Sequence, residues 1–301
     1  LILNARTEVV TMQTRKPVVA GQFYPASGGA CREEIEECLR ARPLPETLPH
    51  QIGAGIGPHA GWTFSGALAA LLFRAVKQRH ETVDTFAIFG TAHRYFGGLP
   101  AVDETDAWET PLGTVAVDQA LRDALVADGL ILNDASAHIG EHSIEVHVPF
   151  VQHLFPDAAV LPIVVPANES GIALGQALAR PERTAGKKVV CVGSTDLTHY
   201  GPRYGFIPQG PGDAGLRWAH EVNDRRFIDL ALRLDPQGLL STAREFGSAC
   251  GPGAAAAAVA AAKESGATAG HLLAQTNSNE VMLSMRGAAS SDSVGYAAIV
   301  F

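Results

Sequence analysis

The stretch QIGAGIGPHAGWTFSGALAALLFRAVKQ, residues 51–78, runs from a short apolar segment through a Pro-His-Ala-Gly turn into a longer segment with apolar residues three and four apart. Ile52–Gly57, bounded by glycine and proline, predicts a buried strand. Ala67–Gln78 has the spacing that builds one buried helix face. The same two patterns recur along the chain. Thr85–Gly90, Val160–Val165, Lys188–Gly193 and Gly295–Phe301 read as strands, and Gln119–Ala127, Ile172–Ala179 and Trp218–Leu232 as helices. Ala254–Lys263 is almost pure alanine, the best helix former, with a side chain small enough to lie close to a sheet. Strands alternating with helices predict an α/β fold. Leu99–Val117, with Trp108, Pro111 and Gly113, reads differently, as short β segments and turns forming a hairpin inserted at the sheet edge. The expectation is a three-layer α/β domain with a central mixed β-sheet flanked by helices. It occupies residues 15–301, after an extension over residues 1–14 without fixed structure, in which Met12 is a candidate start.

Composition narrows the function. The chain has 301 residues, is 47% hydrophobic and 18% charged, and carries a formal net charge of −8. It is too apolar for a disordered chain. It has no lysine or arginine cluster to neutralise phosphates, so neither nucleic acid nor an anionic membrane surface is an expected partner. The longest apolar run, Ala254–Ala262, is far short of the ~20 residues that span a bilayer. The first residues lack the layout of a signal peptide. Cys31, Cys38, Cys191 and Cys250 form no CxxC pair and are too sparse for a disulfide scaffold, so a reducing cytoplasm is the expected compartment.

Three of the expected strands run directly into polar residues. Ile52–Gly57 leads to His59, Thr85–Gly90 to His93, and Lys188–Gly193 to Asp196 and His199. In open α/β sheets ligands bind outside the carboxyl ends of the strands, so residues distant in sequence can meet there. A fourth contributor is Cys250, placed just before Gly251, Pro252 and the alanine helix. A cysteine beside a helix N-terminus is expected to have a lowered pKa and to be a thiolate. Imidazole and thiolate together suit zinc, copper or iron, and three protein ligands leave a coordination position open for water or substrate.

HIGEHSIEVHVPF, residues 138–150, is the densest polar cluster, with His138, Glu141, His142, Glu145 and His147. HEXXH is absent, and HXXEH fails because Val146 separates Glu145 from His147, turning the second histidine by ~100° on a helix. The segment is therefore read as a support for the site or a wall of the substrate pocket. GAGIG at residues 53–57 lacks the third glycine and the spaced acid of a dinucleotide site, and no GXSXG elbow is present.

The motifs RKPVVAGQFYP, PHAGWTFSG, GTAHRYF, EHSIEVHVPF, STDLTHYG, ACGPGA and SVGYAAIVF occur in order across residues 15–301. With them the chain resembles the Memo family, called AmmeMemoRadiSam system protein B in prokaryotes. The resemblance implies a fold like that of class III extradiol dioxygenases, non-haem iron enzymes that cleave catechol rings. It implies His59, His93 and Cys250 as ligands of one transition-metal ion, Fe(II) first, with copper or zinc as alternatives. Glu145 or Asp196 is the fallback third ligand. Asp196 and His199, as a proton-transfer pair, line the same cavity, with His142 and Glu145 as further catalytic candidates and Phe23, Arg203 and His147 as substrate contacts. Ala92 departs from the family's usual serine before the second histidine, removing a hydroxyl near the metal. The family name also implies joint action with a radical-SAM protein and an AMMECR-type protein.

Two functions follow as expectations. One is a non-haem iron-dependent oxidoreductase of dioxygenase type acting on a small-molecule substrate, an aromatic one among the candidates. The other is a non-catalytic protein that uses the same pocket to bind copper or a partner's peptide.

Overall fold

The structure, a computed structural model, describes residues 12–287 and 289–301. Its central sheet has the order His199–Tyr200, Ser293–Val300, Ala54–Gly57, Val189–Ser194, Thr85–Thr91, Ala159–Val165, Ala101–Val102, Leu132–Asn133, with His271–Asn277 also paired to Ser293–Val300. The four strands in the middle are parallel. Ser293–Val300 runs antiparallel to its neighbours, so the sheet is mixed. The five strands read from sequence are all present, with ends shifted by a residue or two.

Period-two alternation divides the strand residues between two cores. Phe86, Ile88, Val160, Val164, Val190 and Val192 pack on one face with Leu72, Phe73 and Val76 of the helix Trp62–Arg79. Ala87, Phe89, Leu161, Ile163 and Cys191 pack on the other with Leu174, Phe227, Ala254 and Ala258. Because parallel strands are covered on both faces, they read as continuous apolar runs rather than as alternation.

The alanine helix, Pro252–Glu264, lies against this second face with Ala254–Ala262 entirely buried. Its small side chains allow backbone contact: a Cβ on Gly193 would stand 2.7 Å from the carbonyl oxygen of Ala254, and one on Gly175 would stand 2.0 Å from that of Ala257. Gly175→Ala is therefore expected to lower stability by about 1–3 kcal/mol as the two helices are forced apart. Urea denaturation checks this, and an unchanged midpoint would contradict the packing.

The edge hairpin and the helix at residues 218–232 differ from expectation. The hairpin Ala107–Thr110/Gly113–Ala116 does not extend the central sheet; it forms a separate three-stranded sheet with Thr14–Arg15, and Ala101–Val102 and a single bridge from Val117 to Val160 join the stretch to the central sheet. Of the extension expected over residues 1–14, residues 1–11 lie outside the described residues; Gln13 N donates to Asp106 and Thr14 pairs with Ala107. The helix expected at Trp218–Leu232 starts earlier, at Asp213, and contains a π-helical turn, Ala219–Asn223. At the end of that turn Asn223 and Asp224 are buried against Thr198, holding the segment between Asp196 and His199. Among the described residues no helix is long and apolar enough to cross a membrane.

Candidate metal centre

Ala54–Gly57, Val189–Ser194 and Thr85–Thr91 are adjacent and parallel, so the segments leaving their carboxyl ends converge. His59, Ser194 with Asp196, and His93 follow these three strands. The loop before the short helical turn Glu145–His147 crosses the end of the third, where Thr91 N donates to Ser143 Oγ at 2.9 Å. That loop brings in His142. His59, His93 and His142 each offer a ligand atom, and these atoms all lie within 4.8 Å of one another. The rings of His93 and His142 stack at 5.1 Å with 8° between planes, and both stand edge-on to His59, at 5.2 and 5.5 Å. His59 is buried, whereas His93 and His142 face the opening.

Hydrogen bonds fix which nitrogens are free. The Ser194 hydroxyl donates its one proton to the carbonyl of Ser143 at 2.6 Å, so its oxygen accepts from His59 Nδ1 at 2.9 Å. His59 Nε2 is left with its lone pair and faces Cys250 Sγ at 3.3 Å. His93 Nδ1 lies 3.0 Å from Glu141 Oε2, and a carboxylate only accepts, so Nε2 is the free nitrogen there as well. A ring nitrogen tied to a hydroxyl or carboxylate while the other is free is the usual arrangement of a metal-binding histidine. Zinc–nitrogen and zinc–sulfur bonds of about 2.0–2.1 and 2.3 Å imply an N···S edge of about 3.1–3.6 Å between neighbouring ligands. The His59–Cys250 separation falls in that range.

The electrostatics favour neutral rings at His59 and His142. Burial, and then the neighbouring His93, His142 and His147 rings, hold His59 well below the ordinary histidine value. Burial also lowers His142, against the pull of Glu141. Glu141 is pushed up by burial, but bonds from His93 and Ser143 outweigh this and hold it at about 2, so it is a carboxylate. Asp196 is raised by burial to about 7, although the His59 and Ala60 backbone N–H groups stabilise its charge.

The sequence-predicted residues are thus partly gathered and partly dispersed. His59 and His93 come together with His142, and Cys250 Sγ reaches His59 Nε2, but the cysteine is no lowered-pKa thiolate: burial and then the Asp196 charge push the thiol up to about 12. Asp196 does not pair with His199. Its Oδ1 accepts from His59 N at 2.7 Å, while the His199 ring stands edge-on to Tyr204 at 5.1 Å. Phe23 lies edge-on to His142 at 4.8 Å, on the wall of the site. Arg203 is exposed, its backbone N–H bonded to Asp292.

Glu145 and His147 are turned away from the opening. The Glu145 carboxylate accepts from Val18 N, Val19 N, Tyr24 Oη and Arg15 Nη1, which makes it an anchor for the segment around Arg15. His147 is fully buried behind Ser194, its Nε2 3.1 Å from that hydroxyl, and burial lowers its pKa to about 3. It cannot touch a substrate. Glu141 and Ser194 are the orienting residues without a role assigned from sequence. Glu141 stood inside the polar cluster with no feature to single it out, and Ser194 is simply the last residue of a strand.

A family description, Memo-like protein, matches residues 15–300 of the chain. The MEMO1 family protein of Methanothermobacter thermautotrophicus is 35% identical over 281 residues, covering 89% of this chain and 94% of the relative. Those of Methanopyrus kandleri and Thermococcus kodakarensis are 35% and 36% identical over 298 residues, each covering 95% of this chain and 98% and 99% of the relative. The chain belongs to the Memo family.

Proposed function

We propose that the chain binds one transition-metal ion through His59, His93 and Cys250, and that it is an oxidoreductase of the non-haem iron type acting on a small substrate. The observation that carries this reading is His59 Nε2 left free by its Ser194 bond and standing 3.3 Å from Cys250 Sγ. His142, whose ligand atom lies within 4.8 Å of those of His59 and His93, supplies a further ligand or a substrate contact. Bound there, the ion supplies a Lewis acid and, as iron or copper, a redox centre.

The chain's own residues handle binding and protons. Phe23 and the imidazole of His142 form an apolar-faced wall suited to a flat substrate. His199, lowered by burial and then by His93, is neutral near pH 7 and takes up a proton. Asp196, at about 7 and with Oδ2 4.0 Å from His59 Nε2, changes charge within the working range. The imidazole–thiol pair equally suits Cu(I), which supports a second reading as a copper-binding protein without turnover.

The test is anaerobic loading with Fe(II) followed by O₂ consumption with a panel of catechols. Uptake is expected, and His199→Ala should lower it by about 10²–10⁴-fold while retaining iron. No uptake with any catechol, together with stoichiometric retention of copper, would favour the second reading.

A further inference from the structure

Of the motif RKPVVAGQFYP only Phe23 enters the chemistry just described, yet its first residue lies beneath the site. Arg15 is nearly buried, with 9% of its side chain accessible. One guanidinium nitrogen, Nη2, donates to the carbonyl oxygens of Glu141 at 2.7 Å and His138 at 3.3 Å, and Nη1 donates to Glu145 Oε2 at 3.2 Å. The guanidinium thus ties together both ends of the loop that carries Glu141 and His142. The bond to the Glu141 carbonyl acts on the peptide whose N–H belongs to His142, and that N–H donates to Glu141 Oε1 at 2.9 Å.

Arg15 is itself fixed from below. Its Cζ lies 4.1 Å over the Trp108 ring, and it pairs with Trp108 in the small sheet, so the hairpin that sits apart from the central sheet serves as its mount. Downstream, Glu145 gathers Val18 N, Val19 N and Tyr24 Oη. The Phe23 carbonyl accepts from Trp62 N at 2.8 Å, which joins the segment to the start of the helix after His59. The segment from Thr14 to Tyr24 therefore touches the supports of all three histidines.

We propose that Arg15 is a positioning residue for the metal centre: by clamping the Glu141 carbonyl and the Glu145 carboxylate it sets the loop on which Glu141 orients His93 and His142 reaches the opening. This rests on the metal-binding reading above. Glu141 bonds His93 through both its ring Nδ1 and its backbone N, so a shift of the loop misdirects His93 and His142 together. Lysine cannot replace the clamp, because a single ammonium lacks the planar fork that reaches three acceptors in fixed directions.

The experiment is titration of the full chain with Co(II), read by its d–d absorption, for wild type, Arg15→Met and Arg15→Lys, with thermal unfolding of each metal-free protein alongside. Arg15→Met is expected to lose about 10–100-fold in Co(II) affinity, the usual effect of removing an orienting partner, with an altered absorption band. Arg15→Lys keeps the charge opposite Glu145 and should fold even if the methionine variant does not; its affinity should fall between the other two. In a Glu141→Gln background, which already loosens His93, Arg15→Lys should cost little more, because both act through one loop. Wild-type affinity and band shape in Arg15→Lys, with only a lower unfolding temperature, would make Arg15 a purely structural residue and overturn the proposal. A wild-type chain that binds no Co(II) would overturn the metal-binding reading first and this proposal with it.

Discussion

His59→Ala is expected to lower the affinity for a transition-metal ion by at least about 100-fold while the chain stays folded. His59 is common to both donor sets at this centre, the three imidazoles and the imidazole–thiol pair, so no alternative ligand arrangement survives its loss. Removing only an orienting partner costs about 10–100-fold, and a ligand should cost at least the upper end of that range. Folding is spared for a specific reason. Ser194 keeps His147 Nε2 and the Ser143 carbonyl as partners, and the backbone N–H of residue 59 still donates to Asp196, so the change orphans no buried polar group. Metal content after dialysis, measured beside circular dichroism, checks both halves. A folded variant that keeps its metal would remove His59 from the site.

The second large effect is on pH. A thiol held up at about 12 must lose its proton to bind a metal, so each unit of pH below that value should weaken binding tenfold. A pH between about 7.5 and about 9 is at least a unit above the ~6.5 reference value of histidine, His59 and His142 are held lower still, and Asp196, at about 7, is mostly ionised. Only the thiol proton then remains to be displaced. The logarithm of the affinity should rise by about one per pH unit in wild type and stay flat in Cys250→Ala. A flat wild-type profile would mean that imidazoles alone bind the ion, with His142 in the place proposed for Cys250.

The parallel strands were legible because burial on both faces makes them unbroken apolar runs ending in glycine or a polar residue. Their carboxyl ends foretold the meeting of His59, His93 and Asp196. His271–Asn277 was not legible: it is a half-exposed strand, and an irregularity between Leu272 and Ala274 breaks its alternation. The helix Gly28–Arg40 buries only Cys31, Ile35 and Cys38, and two of these invite reading as thiols rather than as small hydrophobes. Within the site, sequence could name the polar cluster at residues 138–150 but not divide it. Glu141 and Glu145 are four residues apart, yet one orients His93 and the other anchors Arg15, and only the path of the loop between them decides which. The lowered thiol expected of Cys250 is absent because burial and the Asp196 charge, neither visible in the local sequence, both raise it.

The most direct measurement is X-ray absorption at the metal edge of the protein loaded with one equivalent of zinc. Ligation by His59, His93 and Cys250 should give one sulfur at about 2.3 Å and nitrogen neighbours at about 2.0–2.1 Å, with the imidazole ring scattering of two or three histidines. A shell of nitrogen and oxygen alone, unchanged in Cys250→Ala, would contradict it.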